Sequence, residues 1–125
     1  MKGRVFVKVL ICGCRKWSNY DSILQVVKGL IKNYGEVVIV EGECSGADIL
    51  ARQAAIECEI PFRGYPAQWK KYGNAAGPIR NQQMLDEEHP DMCIAFHPFL
   101  PRSKGTRDMV CKARAAGIET YVINE

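Results

Sequence analysis

The chain has 125 residues, of which 47% are hydrophobic and 25% charged, and its formal net charge at pH 7 is +3. These values are typical of a soluble globular protein, and the length suits a single domain, which we place over residues 1–125. This mild net charge gives little support for nucleic-acid binding, because proteins that bind nucleic acids usually carry a far more basic surface. No segment reaches the ~20 consecutive apolar residues of a membrane span, and Lys8 interrupts the N-terminal apolar run, so the sequence predicts a cytoplasmic protein.

The first predicted element is a strand over Val5–Cys12, which is rich in β-branched residues. A helix over Ile23–Ile31 follows, and we place its N-terminal cap at Asp21 and Ser22. Next comes Val37–Val40, a strand that is apolar on both faces and therefore typical of a parallel sheet covered on both sides.

The later elements continue this alternation of strands and helices. In chain order they are a helix over Ala47–Cys58, a weaker strand over Phe62–Tyr65, a helix over Arg80–Glu88, a strand over Met92–Phe96, a helix over Thr106–Ala116 with Gly117 after its end, and a strand over Thr120–Ile123. The alternation predicts a single-domain, three-layer α/β/α fold with a mostly parallel sheet of about five strands.

The six cysteines contain no C-x-x-C pair, and most lie within apolar patterns. We therefore expect neither a disulfide framework nor a metal site. Cys58, Cys93 and Cys111 are interpreted as small buried hydrophobic residues.

The loops that follow the strands carry the polar residues of interest. In open α/β sheets, ligands bind beyond the carboxyl ends of the strands, where the N–H groups of turns and helix entrances can hold a phosphate. The predicted ligand-binding residues in these loops are Gly13, Arg15, Gly42, Ser45, Gly46, Asp48, Ser103, Lys104, Gly105 and Thr106. None of the loops has the G-x-G-x-x-G or P-loop pattern, which argues against a standard dehydrogenase or NTPase.

The stretch GNAAGPIRNQQM places Arg80 and Asn81 at the head of a predicted helix. An arginine in a first helical turn opposes the helix dipole, so we expect Arg80 to bind an anion rather than to be solvated surface. Asn81 is expected to cap or support the loop, and it joins the predicted ligand-binding residues. Trp69 and Tyr72, just before this stretch, are interpreted as lid packing rather than as platforms for a base.

Several residues keep two interpretations at this point. Asp48 fits the first turn of a helix because of the dipole, and it also suits a ribose hydroxyl. Arg15 can pair with Asp48 or Glu43, or face the ligand. Trp17 can stack on a base or merely cover a helix. His97 follows a strand end, where a general base could lie, but it has no evident partner.

Four segments of the chain together carry a family resemblance: VLICGCRKW, VEGECSGADILA, YPAQWKKYGNAAGPIRNQQM and SKGTRDMVCKARAAGI. They resemble the YspA/YpsA-related branch of the SLOG superfamily, which also takes in the DNA-processing protein DprA and the LOG phosphoribohydrolases. The resemblance implies a Rossmann-like domain that binds a nucleotide or nucleotide-derived ligand. It also implies a bacterial or phage origin, and a homodimer or larger homo-oligomer, since relatives commonly dimerise.

The LOG enzymes use an arginine in an R-K-x-x-M segment and a glutamate that closes a G-G-x-G-T-x-x-E segment. Arg80 matches that arginine, and Gly105 and Thr106 match part of the second segment. Met109 stands at the glutamate position, with Asp108 one residue earlier. Arg80, Asp108 and His97 are therefore candidates for catalysis, but no catalytic residue is assigned.

Three functions are consistent with these patterns. The first is binding of a nucleotide-derived phosphorylated ligand by a sensor or sequestering protein that requires no further cofactor and no metal. The second is a phosphoribohydrolase that cleaves the N-glycosidic bond of a nucleoside monophosphate, which the missing glutamate disfavours. The third is single-stranded DNA binding, which the mild charge and the small number of aromatic residues expected at the surface disfavour.

Overall fold

The computed structural model describes residues 6–125, so Val5, predicted to open the first strand, lies outside them. Within this part the strands and helices alternate as the sequence predicts. They are β1 (Phe6–Gly13), α1 (Tyr20–Tyr34), β2 (Glu36–Glu41), α2 (Ala47–Glu57), β3 (Phe62–Gly64), α3 (Trp69–Tyr72), α4 (Ala76–Glu88), β4 (Met92–Phe96), α5 (Gly105–Ala115) and β5 (Glu119–Ile123). Short 3₁₀ turns at Gly73–Ala75 and Leu100–Arg102 precede α4 and α5.

The five strands form one sheet in the order β3-β2-β1-β4-β5, and every neighbouring pair is parallel. From β1 the chain proceeds outward through β2 and β3, and it then returns to the other side of β1 to form β4 and β5. The predicted α/β fold is confirmed. The reversal of strand order between β1 and β4 is the place where sheets of this kind leave a crevice for a ligand.

Helices cover both faces of the sheet, so there are two hydrophobic cores. On one face α1 and α2 pack on the sheet through buried residues that include Ile23, Val27 and Ala51. On the other face Met84 of α4 and Met109 of α5 pack against the sheet. All five residues of β4 are buried, which explains why its sequence is apolar at consecutive positions.

The starts of α4 and α1 differ most from the predictions. The helix α4 begins at Ala76, four residues before Arg80, because its first turn accommodates Gly77 and Pro78; a first-turn proline loses no intrahelical hydrogen bond. Arg80 therefore lies in the second turn. The cap of α1 is Asn19, whose side chain accepts a hydrogen bond from the Ser22 N–H, so Ser22 lies inside the helix.

The six cysteines are free thiols in the structure. Cys93 is buried as predicted and Cys58 is half-buried, whereas the prediction for Cys111 is wrong because this residue is exposed on α5. Across residues 6–125, no cluster of three His, Cys, Asp or Glu side chains is arranged to hold a metal ion. The same residues include no helix whose length and hydropathy would let it cross a membrane.

Candidate ligand-binding cleft

A cleft of about 600 Å³ opens beyond the carboxyl ends of β1 and β4, at the reversal of strand order. Most of the predicted ligand-binding residues line it: Gly13, Arg15, Asp48, Arg80, Asn81, Ser103, Lys104, Gly105 and Thr106. A second groove of about 500 Å³, between the distal parts of α4 and α5, contains none of them. We therefore take the first cleft as the candidate site.

The loop after β1 is held by close backbone contacts. The Cys14 N–H donates to the Phe96 carbonyl at 2.8 Å, and the Cys14 carbonyl accepts from the Ala47 N–H at 3.1 Å. A Cβ on Gly13 would lie 2.2 Å from the Phe96 oxygen, so this position requires a glycine. These contacts join the end of β4, the β1 loop and the start of α2 into one wall of the cleft.

Three predicted ligand-binding residues, Gly42, Ser45 and Gly46, do not line the cleft. Gly42 accepts a hydrogen bond from Arg80 through its carbonyl, and a Cβ there would lie 2.3 Å from Arg80 Nη1. Gly46 has φ +78° and packs against the Cys14 carbonyl, while Ser45 is exposed. The two glycines permit close packing between loops, and their predicted contact with a ligand stays a prediction.

Asp48, in the first turn of α2, is a buried carboxyl with one unpaired oxygen. The residue is only 6% exposed, and Oδ2 accepts from the Cys44 N–H at 3.2 Å. Oδ1 has no hydrogen-bond partner. Among the side-chain nitrogen and oxygen atoms of residues 6–125, no other buried atom lacks a partner. Burial raises the pKa of Asp48 to about 7, although the Cys44 N–H and the Arg80 charge oppose the shift.

Arg80 is buried and is held by protein groups on three sides. Nη1 donates to the carbonyls of Gly42 and Tyr65, and Nε donates to Asn81 Oδ1 at 3.0 Å. Nη2 has a weaker contact, 3.9 Å from the sulfur of Cys44. The solvated-surface interpretation of Arg80 is therefore excluded, and Nη2 is the nitrogen left with capacity to bind a ligand.

The entrance of α5 forms the opposite side of the cleft and carries unpaired hydrogen-bond donors. Ser103 Oγ accepts from the Thr106 N–H at 2.9 Å, which fixes the first turn. Within the described part of the chain, the N–H groups of Gly105 and Arg107 have no acceptor, and neither do the side chains of Lys104 and Thr106. Such a helix start attracts anions through its N–H groups and its dipole.

Asn81 supports this entrance from α4. Its Nδ2 donates to the Gly105 carbonyl at 3.3 Å and to Asp108 Oδ2 at 3.0 Å. Asp108 also forms a 2.7 Å ion pair with Lys112, and it does not line the cleft, whereas the buried Met109 does. Both oxygens of Asp108 are engaged by Asn81 or Lys112, and its catalytic role stays an untested prediction.

His97 lines the cleft next to the end of β4. Its Nδ1 accepts from the Phe99 N–H at 3.0 Å, and burial lowers its pKa. Among the described residues, no carboxylate forms a hydrogen bond with the imidazole ring. His97 therefore has the position of a general base but lacks a carboxylate partner to orient its ring.

The two tryptophans have different roles. Trp17 is buried edge-on against Phe96 at 5.5 Å between ring centroids, so it covers α1 and does not meet a base. Trp69 is 45% exposed and lines the cleft, with the Arg15 guanidinium 5.4 Å from its ring centroid. Arg15 thus contacts Trp69, and it forms an ion pair with neither Asp48 nor Glu43. The sequence alone did not reveal Trp69 as a cleft wall, because the contact depends on how α3 folds back.

The fold and the cleft define a Rossmann-like domain of the SLOG type. The family model described as YAcAr, the YspA, cpYpsA-related SLOG family, matches residues 7–72, just over half of the chain, and the protein belongs to this family. The predicted resemblance is thereby confirmed. The match ends before Arg80 and the α5 entrance.

One similar solved structure is DNA processing protein A (DprA) from Streptococcus pneumoniae, with a TM-score of 0.74 and 20% sequence identity. The similarity covers 94% of this chain and 50% of that one, so the chain spans half the length of the DprA chain it matches. At this level of identity the likeness concerns the fold. No curated protein matches the chain significantly.

Proposed function

We propose that the protein binds a nucleotide or nucleotide-derived phosphorylated ligand in this cleft, as a sensor or sequestering protein. One observation carries the proposal. The α5 entrance, with its unpaired donors, lines the same cleft as Arg80 and as Asp48, whose Oδ1 has no partner. A phosphate would accept hydrogen bonds from the N–H groups of the first turn, from Thr106 Oγ1 and from Lys104 Nζ.

The other features of the cleft suit the rest of a nucleotide. Trp69 presents a half-exposed aromatic face at the rim, which can stack on a base of any identity. Asp48 is a buried residue that lines the same cleft as Trp69 and the α5 entrance. A cleft of about 600 Å³ is within the range of small-molecule sites.

Binding is better supported than hydrolysis of an N-glycosidic bond. Met109 occupies the cleft position where the LOG resemblance would require a glutamate, and it is buried. Asp108 is engaged by Asn81 and Lys112. The carboxylate that such a reaction needs at this helix is therefore missing.

The test is calorimetry with AMP, GMP, CMP and UMP, each compared with its nucleoside. We expect at least one nucleoside monophosphate to bind, and its nucleoside to bind at least tenfold more weakly. Thr106→Val and Lys104→Ala should each weaken binding of the nucleotide. For Thr106→Val we expect about a tenfold loss of affinity, since a hydrogen bond to a charged group contributes about 1.5–3 kcal/mol. Lys28→Ala, an exposed lysine on α1, is the matched control and should bind like the wild type.

Two results would contradict this proposal. One is the absence of binding by all four nucleotides at millimolar concentration. The other is equal affinity of the wild type, Thr106→Val and Lys104→Ala for the bound nucleotide, which would place the phosphate elsewhere. Release of free base during incubation with wild type would favour the hydrolase instead.

Single-stranded DNA binding is the second candidate, and one observation favours it. The helix α3 exposes Trp69 and Tyr72 beside Lys70 and Lys71, so the expectation of few exposed aromatic residues is wrong. Aromatic faces next to cations are a platform on which successive bases stack. Fluorescence anisotropy of a labelled thymidine oligonucleotide tests it. Salt-dependent binding that is lost in Lys70→Ala/Lys71→Ala would support it, and no binding would exclude it.

A further inference from the structure

The floor of the cleft contains an acceptor that the protein does not satisfy. Asp48 Oδ1 has no hydrogen-bond partner although the residue is only 6% exposed, and Asp48 lines the cleft. Leaving a buried acceptor unpaired has a free-energy cost, so such a group in a native protein calls for an explanation, such as a bound water or ion or a functional role. A ligand in the cleft can supply that partner.

We propose that Asp48 selects a ligand with a ribose hydroxyl, whose O–H donates to Oδ1, so that the cleft prefers ribonucleotides to their deoxy analogues. This inference rests on the proposed function, because it places the phosphate at the α5 entrance. The half-exposed Trp69 lies at the rim, and the sugar, which joins base to phosphate, then lies over the buried floor.

The geometry of the carboxyl favours a single donor. Oδ2 already accepts from the Cys44 N–H, and Oδ1 is the oxygen without a partner. The paired N–H donors of a guanine edge need both oxygens of a carboxylate, and a hydroxyl needs one. A ribose hydroxyl therefore satisfies Asp48 without breaking the contact that orders the β2–α2 loop.

The charges around Asp48 make this selection dependent on pH. Burial disfavours the carboxylate and the nearby Glu41 disfavours it further, whereas the Cys44 N–H, the Arg80 charge and the Gly42 N–H favour it. The thiol of Cys12 also lies near, and Cys44, Arg15, Lys104 and His97 line the same cleft. With its pKa raised to about 7, Asp48 is largely protonated at pH 6 and ionised at pH 8. A donating hydroxyl stabilises the ionised form, so the ribose preference should grow as the pH rises.

The experiment measures dissociation constants at pH 6 and pH 8 for the best-bound nucleoside monophosphate and for its 2′-deoxy and 3′-deoxy analogues. All three carry the same base and phosphate, so the titration of the phosphate cancels in their ratio. For the wild type at pH 8 we expect the ribonucleotide to bind about tenfold more tightly than at least one analogue. At pH 6 this preference should be smaller.

Asp48→Asn and Lys28→Ala complete the design. Asn is nearly isosteric and has no charge, so the ribose preference of Asp48→Asn should be reduced and should no longer change between pH 6 and pH 8. Lys28 is exposed on α1 and does not line the cleft, so Lys28→Ala should retain the wild-type ratios. Thermal melting of each variant shows whether it is folded, and the wild-type ratios decide the question even if Asp48→Asn is unstable.

The outcomes separate this inference from the proposed function. Equal binding of ribonucleotide and both analogues to the wild type would overturn the role of Asp48 while leaving nucleotide binding intact. Tighter binding of the 2′-deoxy analogue would also overturn it, and would favour the DNA-binding candidate. Failure of every nucleotide to bind would overturn the proposed function, and this inference with it.

Discussion

At the scale of single residues, the walls of the cleft depend on positions where two backbones approach too closely for a side chain. Gly13 is such a position, since a Cβ there would lie 2.2 Å from the Phe96 oxygen and 2.8 Å from the Ala47 Cβ. Ala47 and Phe96 are both fully buried, so neither can move aside without disturbing the core.

We predict that Gly13→Ala lowers the free energy of unfolding by more than about 2 kcal/mol, because it overpacks the junction of β1, β4 and α2. Gly29→Ala in α1 is the control, as a Cβ there meets nothing within 4 Å and alanine favours a helix. Urea unfolding of both variants measures the effect. Equal stability of Gly13→Ala and the wild type would show that the junction relaxes freely.

The sequence was a better guide to the loops that line the cleft than to the contacts that their side chains form. Lys104 and Thr106 could be placed at the cleft because parallel strands bring their carboxyl ends to one edge of the sheet. The unpaired oxygen of Asp48 could not be foreseen. This oxygen lacks a partner because the Arg15 guanidinium contacts Trp69 and Arg80 Nη1 donates to carbonyl groups. Both contacts join residues far apart in the chain.

At the scale of elements, a buried ionic network anchors the last turn of α4 to the sheet. Glu88 accepts hydrogen bonds from Arg63 at 2.6 Å and from Tyr65, and it lies 3.1 Å from Lys8 Nζ of β1. Burial alone would raise the pKa of Glu88, but these three donors outweigh it and hold the pKa below its usual range. The helix that carries Arg80 is thus fixed at the end distant from the cleft.

We predict that Glu88→Gln lowers the free energy of unfolding by about 3 kcal/mol at pH 7, because Lys8 and Arg63 lose their counter-charge. A lowered folded-state pKa stabilises the protein above the unfolded value of 4.5, and this contribution is lost as the pH falls through the folded value. The variant should therefore show a flatter loss of stability between pH 5 and pH 3. Glu36→Gln, exposed at the start of β2, is the control. Parallel acid-unfolding curves for wild type and Glu88→Gln would contradict the assignment.

The elements themselves were largely predictable from hydrophobic periodicity, and their boundaries were less so. The strand β4 matches its predicted range, since its apolar run ends at polar residues on both sides. The start of α4 was placed too late because Gly77 and Pro78 were taken as a turn before the helix. The helix α3 was not predicted, because its four residues, Trp69–Tyr72, are too few for a periodic pattern.

At the scale of the whole molecule, apolar side chains remain on outer surfaces. Ile56 is 58% exposed at the end of α2, and Phe62 and Tyr121 lie half-exposed on the two edge strands β3 and β5. Edge strands and exposed apolar groups are surfaces on which copies of a chain associate. We predict a homodimer or larger closed oligomer. Light scattering at micromolar concentration measures its mass, and a 14.0 kDa species alone would contradict the prediction.

The central place of β1 in the sheet has a consequence for biosynthesis. One edge of β1 pairs with β2, which follows soon after it, while the other pairs with β4, joining Gly13 to Phe96. A ribosome adding 5–20 residues per second completes β4 roughly ten seconds after β1, and during this interval the second edge of β1 has no partner strand. The nascent chain therefore passes through a stage that is vulnerable to aggregation, and the walls of the cleft come together only when β4 arrives.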